Sequence, residues 1–77
     1  MSLGVAIVGS GLIGRKRAAA LPGGHVVACA DLQAARAEAL AADLRARGGA
    51  HARAVSLPWT EAVAHPEVDV VVVATTN

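Results

Sequence analysis

The feature that most constrains this chain is a set of three glycines at fixed spacing, Gly9-Ser10-Gly11-Leu12-Ile13-Gly14, placed directly after an unbroken apolar run, Gly4-Val5-Ala6-Ile7-Val8. An apolar run without alternation is what a strand covered on both faces requires. The glycines end it sharply, and helical spacing follows: Gly14, Ala18 and Leu21 recur at i, i+4 and i+7, while Arg15 and Lys16 point elsewhere. A stripe of such small side chains lets a helix lie close on a sheet. Strand, tight turn and helix in this order begin a crossover unit, in which the next strand runs parallel to the first.

The remaining sequence continues the alternation. Pro22-Gly23-Gly24 stops the first helix, and residues 25–30 read as a second buried strand ending at Asp31. Residues 33–47 place Ala37, Leu40, Ala41 and Leu44 on one helical face, with Asp43 four residues before Arg47. Gly48-Gly49 ends this helix, residues 51–55 read as a weak edge strand, and Pro58 starts a short helix that Pro66 terminates just past His65. Residues 68–74 form the strongest strand of the chain. Strands and helices alternating in this way predict an α/β, doubly wound parallel sheet of the Rossmann type, with about four strands in the order 3-2-1-4. With 77 residues there is room for one small domain only, and residues 1–77 read as one continuous but incomplete unit.

The glycine turn carries a specific chemistry because of its context. Gly9 permits the tight turn, Gly11 lacks a side chain that would block a pyrophosphate, and Gly14 lets the helix approach the sheet. The helix start then aims free N–H groups and a positive dipole end at phosphates. Asp31 lies twenty positions after Gly11, at the end of the next strand. There its carboxylate can accept hydrogen bonds from ribose hydroxyls and repel a 2′-phosphate, which favours NAD over NADP. Arg36, one turn into the second helix, either flanks the adenine or tolerates a 2′-phosphate, with a solvated helix face as the default. The competing account makes Gly9, Gly11 and Gly14 turn and packing residues and Asp31 a helix cap, but it leaves their joint spacing unexplained.

Composition excludes other classes. Seven basic and six acidic residues give a net charge of +1, too balanced for a nucleic-acid or membrane-surface footprint. The longest apolar run, residues 70–74, is far too short to span a bilayer. One cysteine cannot form an internal disulfide, and no signal-peptide pattern precedes the domain, so the cytoplasm is expected. Cys29 sits in a buried strand and reads as core. His25, His51 and His65 stand on separate elements as surface or strand-end residues, away from metal-ligand spacing, and no metal site is expected. Trp59 is expected to pack onto the sheet, Asp69 to serve as a cap or loop residue, and the Arg15-Lys16-Arg17 cluster to be solvated.

Taken together, residues 8–15, Ala30-Asp31, residues 36–41, Trp59 with Glu61, and the Asp-Val-Val-Val-Val-Ala-Thr-Thr-Asn run at 69–77 resemble the glucose-fructose oxidoreductase / inositol dehydrogenase family. The resemblance covers nearly the whole chain, and its specificity lies in the combination. It implies an N-terminal Rossmann domain joined to a C-terminal mixed sheet that binds sugars, inositols or related substrates. It also implies that Ser10, Leu12 and Ile13 belong to the phosphate turn and that Ala74, Thr75 and Asn77 lie along the bound cofactor. The family's Glu-Lys-Pro motif, which supplies an active-site lysine, has no counterpart here. Lys16 is the only lysine and belongs to the first helix, so no catalytic residue is assigned. Arg17 stands where many members have histidine and Thr76 where many have proline; neither alters the phosphate-binding logic.

The expected function is therefore the dinucleotide-binding part of an NAD-dependent oxidoreductase, transferring hydride to or from a polyol-type substrate held by a domain outside this chain. A homo-oligomeric parent is expected, inactive when reduced to these residues. Two alternatives remain: a nucleotide-binding regulatory module without turnover, and a Rossmann dehydrogenase acting on an amino acid.

Overall fold

The computed structural model describes residues 2–9, 11 and 23–74. Four parallel strands make its sheet: β1 (Leu3–Val8), β2 (Gly24–Ala30), β3 (Val55–Ser56) and β4 (Val70–Val73), in the order β3-β2-β1-β4. That is the predicted order, and it follows from crossovers that place each new strand beside an existing one on the side right-handedness allows. β1 and β2 hold the centre, pairing from Leu3↔Gly24 to Val8↔Ala30 with one register shift between Val5 and Ala6. β4 pairs with β1 from Val5↔Val70 to Val8↔Val73. The helix expected over residues 12–21 lies outside the described residues.

Alanine, leucine and arginine, all strong helix formers, dominate α1 (Ala34–Arg47). Its buried residues are Ala37, Leu40, Ala41 and Leu44, the face predicted from periodicity. They pack on Val5, Ile7, Val26 and Cys29 of the central strands and on Ala54. Arg45 and Arg47 occupy the last turn, where cations favour the negative helix end. Arg45 also donates from Nη1 to the Ala54 carbonyl at 2.7 Å, tying α1 to the approach of β3. The opposite sheet face is built of smaller groups: Ala6, Ala28, Ala30 and Ala62, with Val8, Leu57 and Val68 packed at its margin. Ala62 belongs to α2 (Trp59–Ala64), which begins after Pro58 and ends before Pro66 as expected.

Three expectations need correction. The edge strand expected over residues 51–55 is present only from Val55, and residues 51–54 do not extend. The chain instead makes a 3-10 turn, Gly49–His51, closed by the N–H groups of His51 and Ala52 donating to the carbonyls of Gly48 and Gly49. β3 is only Val55–Ser56, paired with Ala28 and Cys29 at the sheet edge. His51 Nδ1 accepts the Val26 N–H at 3.0 Å, in the place of a backbone ladder partner. The last strand is also shorter than 68–74, because Val68 and Asp69 belong to the connection before it. Finally, Trp59 is 56% exposed and does not pack down onto the sheet. Cys29 is fully buried, as predicted.

The connection into β4 is clasped to the start of β1. Asp69 accepts the Gly4 N–H on Oδ2 at 2.8 Å and donates its own N–H to the Gly4 carbonyl at 2.7 Å. Gly4 has to be glycine for this close approach, since a Cβ there would run into the Glu67 carbonyl oxygen. The loop role read for Asp69 is thus realised by a specific pair of bonds.

Candidate dinucleotide-binding site

All four strands run in the same direction, so their carboxyl ends form one rim of the sheet, and doubly wound sheets bind ligands there. Gly9 leaves β1 at this rim with φ +99°, a left-handed conformation that L side chains rarely adopt. Its N–H donates to the Ala30 carbonyl at 2.8 Å, so the turn is pinned against the end of β2. On the other side, the Ala74 N–H donates to the Val8 carbonyl at 2.8 Å and carries the end of β4 to the same place. Gly9, Asp31 and Ala74, far apart in sequence, therefore share one rim.

Gly11 is half-buried, and among the described residues a Cβ built on it would meet only the Arg36 Nη1, at 3.7 Å. No other described residue comes within 4 Å of that point, so as far as the described residues go a diphosphate could approach the bare backbone. Unlike Gly9, Gly11 carries no positive φ, and its lack of a side chain is not required by backbone conformation. The fit to a dinucleotide rests on this pairing: one glycine whose backbone conformation requires it, followed by one whose face no described residue but Arg36 approaches.

Asp31 is half-buried just past β2. Its Oδ1 accepts the Gln33 N–H at 2.8 Å, an Asx-type turn leading into α1. Gln33 is the helix N-cap and makes no side-chain capping bond of its own. The carboxylate thus does part of the work of the capping alternative. That does not compete with ribose binding, because an ionised carboxylate offers about four acceptor positions. Arg36 is exposed on the first turn of α1, where its N–H donates to the Gln33 carbonyl at 2.9 Å. Of the predicted site residues, Gly9, Gly11, Asp31, Arg36 and Ala74 are brought together at one rim. Ser10, Leu12, Ile13, Gly14, Thr75 and Asn77 lie outside the described residues.

The amino ends of the strands carry a different surface. A cleft of about 450 Å³ opens there between Val27, Val55, His25, Arg53, His65 and Glu67, away from the glycine turn. His65 Nδ1 accepts the Glu67 N–H at 3.0 Å, and His25 Nδ1 lies 2.8 Å from Ser2 Oγ. The histidines thus serve the local backbone and surface, and the described residues hold no group of three or more side chains arranged to bind a metal. No described helix is long and apolar enough to cross a membrane.

Sequence reasoning missed two contacts. The His51 acceptor depends on where the Val26 N–H falls, twenty-five positions away, and no local signal announces it. The approach of Arg36 to Gly11 spans the same separation, but the strand-turn-helix pattern places both at one rim and could have suggested it.

A family model described as oxidoreductase family, NAD-binding Rossmann fold, matches residues 3–77. Among solved structures, the chain is similar to a myo-inositol dehydrogenase from Lactobacillus casei in complex with NAD(H) and myo-inositol. That likeness has 29% identity and a TM-score of 0.79, over 97% of this chain and 22% of that one. It is also similar to a myo-inositol dehydrogenase from Corynebacterium glutamicum, with 26% identity and a TM-score of 0.74 over 99% of this chain and 22% of that one. The chain thus spans about a fifth of the length of these two proteins. No curated protein matches it in sequence. With a glycine turn pinned at the rim of a 3-2-1-4 sheet and a family match over nearly all of its length, the chain belongs to the glucose-fructose oxidoreductase / inositol dehydrogenase family of oxidoreductases, and its Rossmann fold is of the NAD-binding kind.

Proposed function

We propose that this chain is the dinucleotide-binding part of an NAD-dependent oxidoreductase that transfers hydride to or from a sugar, inositol or related polyol. The observation that carries this reading is the open backbone face of Gly11 beside Asp31 at the carboxyl rim, a place where a diphosphate and a ribose can be held together. The bound nicotinamide supplies the hydride chemistry. The chain's own residues bind and orient: Gly9 and Gly11 admit the phosphates, and Asp31 accepts from the ribose hydroxyls. By motif and family resemblance, Ser10, Leu12, Ile13 and Gly14 complete the phosphate turn, and Ala74, Thr75 and Asn77 border the nicotinamide side. The catalytic groups are assigned to a substrate domain outside this chain. The polyol class is supported by the two solved neighbours, which are myo-inositol dehydrogenases.

We further place the enzyme in the cytoplasm as a homo-oligomer, the compartment following from its use of a soluble intracellular dinucleotide. Fractionation and size-exclusion chromatography with light scattering test these two points.

NAD reduction by the full-length protein, assayed against myo-inositol, other cyclic polyols, aldoses and amino acids, tests the main reading. Turnover of one polyol or sugar class is expected. Turnover of amino acids alone would move the protein to another dehydrogenase class. Tight NAD binding without turnover of any substrate would make it a regulatory module.

A further inference from the structure

Arg36 has no evident task in the fold. Its side chain is exposed, it lies outside both hydrophobic clusters, and α1 buries Ala37, Leu40, Ala41 and Leu44 instead. Its guanidinium nevertheless sits over the turn, with Nη1 3.7 Å from the position a Gly11 Cβ would take and no other group of the described residues within 4 Å of that point. The other described arginines are elsewhere. Arg45 and Arg47 stand in the last turn of α1, two to three turns farther along the helix, and Arg53 lines the cleft at the amino ends of the strands. Among the described residues, Arg36 is therefore the cation at the glycine rim.

We infer that Arg36 is a positioning residue for the dinucleotide diphosphate, its guanidinium closing over phosphate oxygens that rest on Gly11. This deepens the dinucleotide reading and rests on it, and it assigns Arg36 to the phosphates instead of the adenine or a 2′-phosphate. The chemistry suits the place. A guanidinium offers a planar fork of donors that matches phosphate oxygens and stays charged at any working pH. It reaches Gly11 from the helix side, so phosphate oxygens resting on that backbone would come within reach of its donors once the guanidinium moves aside to admit them. Asp31, five residues earlier, puts a negative charge on the ribose side, so the rim presents opposite charges to the two parts of the ligand that want them.

The test is calorimetric titration of the full-length protein with NAD, ADP, 2′,5′-ADP and adenosine, the weak adenosine binding being read by competition. Wild type, Arg36→Gln and Arg36→Lys are compared, with melting temperatures to confirm folding. Arg36→Gln should weaken NAD and ADP about tenfold and leave adenosine unchanged, a loss of about 1.4 kcal/mol. Arg36→Lys should recover part of the loss, and ADP binding by Arg36→Gln should depend less steeply on salt. Equal losses for ADP and adenosine would overturn the inference in favour of adenine stacking. A loss confined to 2′,5′-ADP would overturn it in favour of the 2′-phosphate. Unchanged affinities would make Arg36 a solvated surface residue. A wild-type protein that binds none of these ligands would overturn the dinucleotide reading itself, a failure visible before any variant is compared.

Discussion

Gly11 separates the need of the fold from the need of a ligand. A Cβ there meets Arg36 Nη1 at an ordinary van der Waals distance, and the backbone carries no positive φ, so among the described residues a side chain meets no clash. The same side chain would project over the backbone face that the described residues leave open apart from Arg36. Gly11→Val is therefore expected to leave the melting temperature nearly unchanged and to weaken NAD binding about a hundredfold, on the order of 3 kcal/mol. Calorimetry beside a thermal melt checks both halves, and unchanged affinity in a folded variant would return Gly11 to a turn role. Asp31 is proposed to govern the choice of cofactor by charge. A 2′-phosphate brought against its carboxylate meets like-charge repulsion that a partly solvated rim screens only in part. NAD should have the higher kcat/KM. Asp31→Ser should narrow the gap by about tenfold or more, since about 1–4 kcal/mol of repulsion is removed at contact distance. An NADP preference in the wild type would refute this assignment. The same carboxylate also anchors the Gln33 N–H, so the variant should lose some stability at the start of α1. The placement of these two residues at one rim was legible in the sequence because it follows from spacing along one strand, turn and helix. His51 was not, because its role is set by a strand that the chain had already laid down.

At the scale of elements, legibility follows how local each cause is. The buried face of α1 came straight from the spacing of Ala37, Leu40, Ala41 and Leu44, since a helix carries its own period and needs only one flat partner. Strand β1 and the core of β2 were equally readable, because a run covered on both faces leaves no polar option. The segment 51–55 misled because its apolar residues are alanines, which suit a strand poorly, and because Gly48-Gly49 allows the chain to turn before it can extend. Trp59 misled for a related reason. An aromatic at the start of a helix is buried only if that face is covered, and α2 spends its one buried position on Ala62. The late strand was recognised by its valines, yet its start was placed two residues early. What sets that start is the clasp between Asp69 and Gly4, which spans sixty-five positions. Asp69→Ala would leave the part-buried Gly4 N–H without its acceptor and should cost about 1–3 kcal/mol of stability, whereas Asp69→Asn keeps an acceptor oxygen and should cost less. Urea unfolding of the two variants decides this. Equal losses would mean that the backbone bond from Asp69 to Gly4, present in both, does most of the clasping.

For the whole molecule, the sheet has one edge that the described residues leave open. β3 is two residues long, too short to template another strand, and Ala28 and Cys29 beside it are buried. β4 is different. It pairs with β1 on one side only, and Val70, Val71 and Val73 are 41%, 38% and 69% exposed. An apolar strand with unpaired backbone groups along one side invites the addition of another strand. The four valines also have high strand propensity and carry no charge that would oppose stacking. Residues 1–77 produced alone should therefore associate at micromolar concentration, as measured by light scattering. They should reduce no NAD with polyols, because no described residue is assigned to hold a substrate beside the nicotinamide. Val73→Lys should suppress the association by placing a charge on the most exposed position of the edge, and should leave NAD binding intact, since Val73 lies before the rim that Ala74 reaches. A cooperative, monodisperse and catalytically active monomer would overturn this prediction at once, since activity would require a substrate site that no described residue provides. Association that survives Val73→Lys would relocate the contact, with exposed Leu32 and Trp59 as the next apolar surfaces to test.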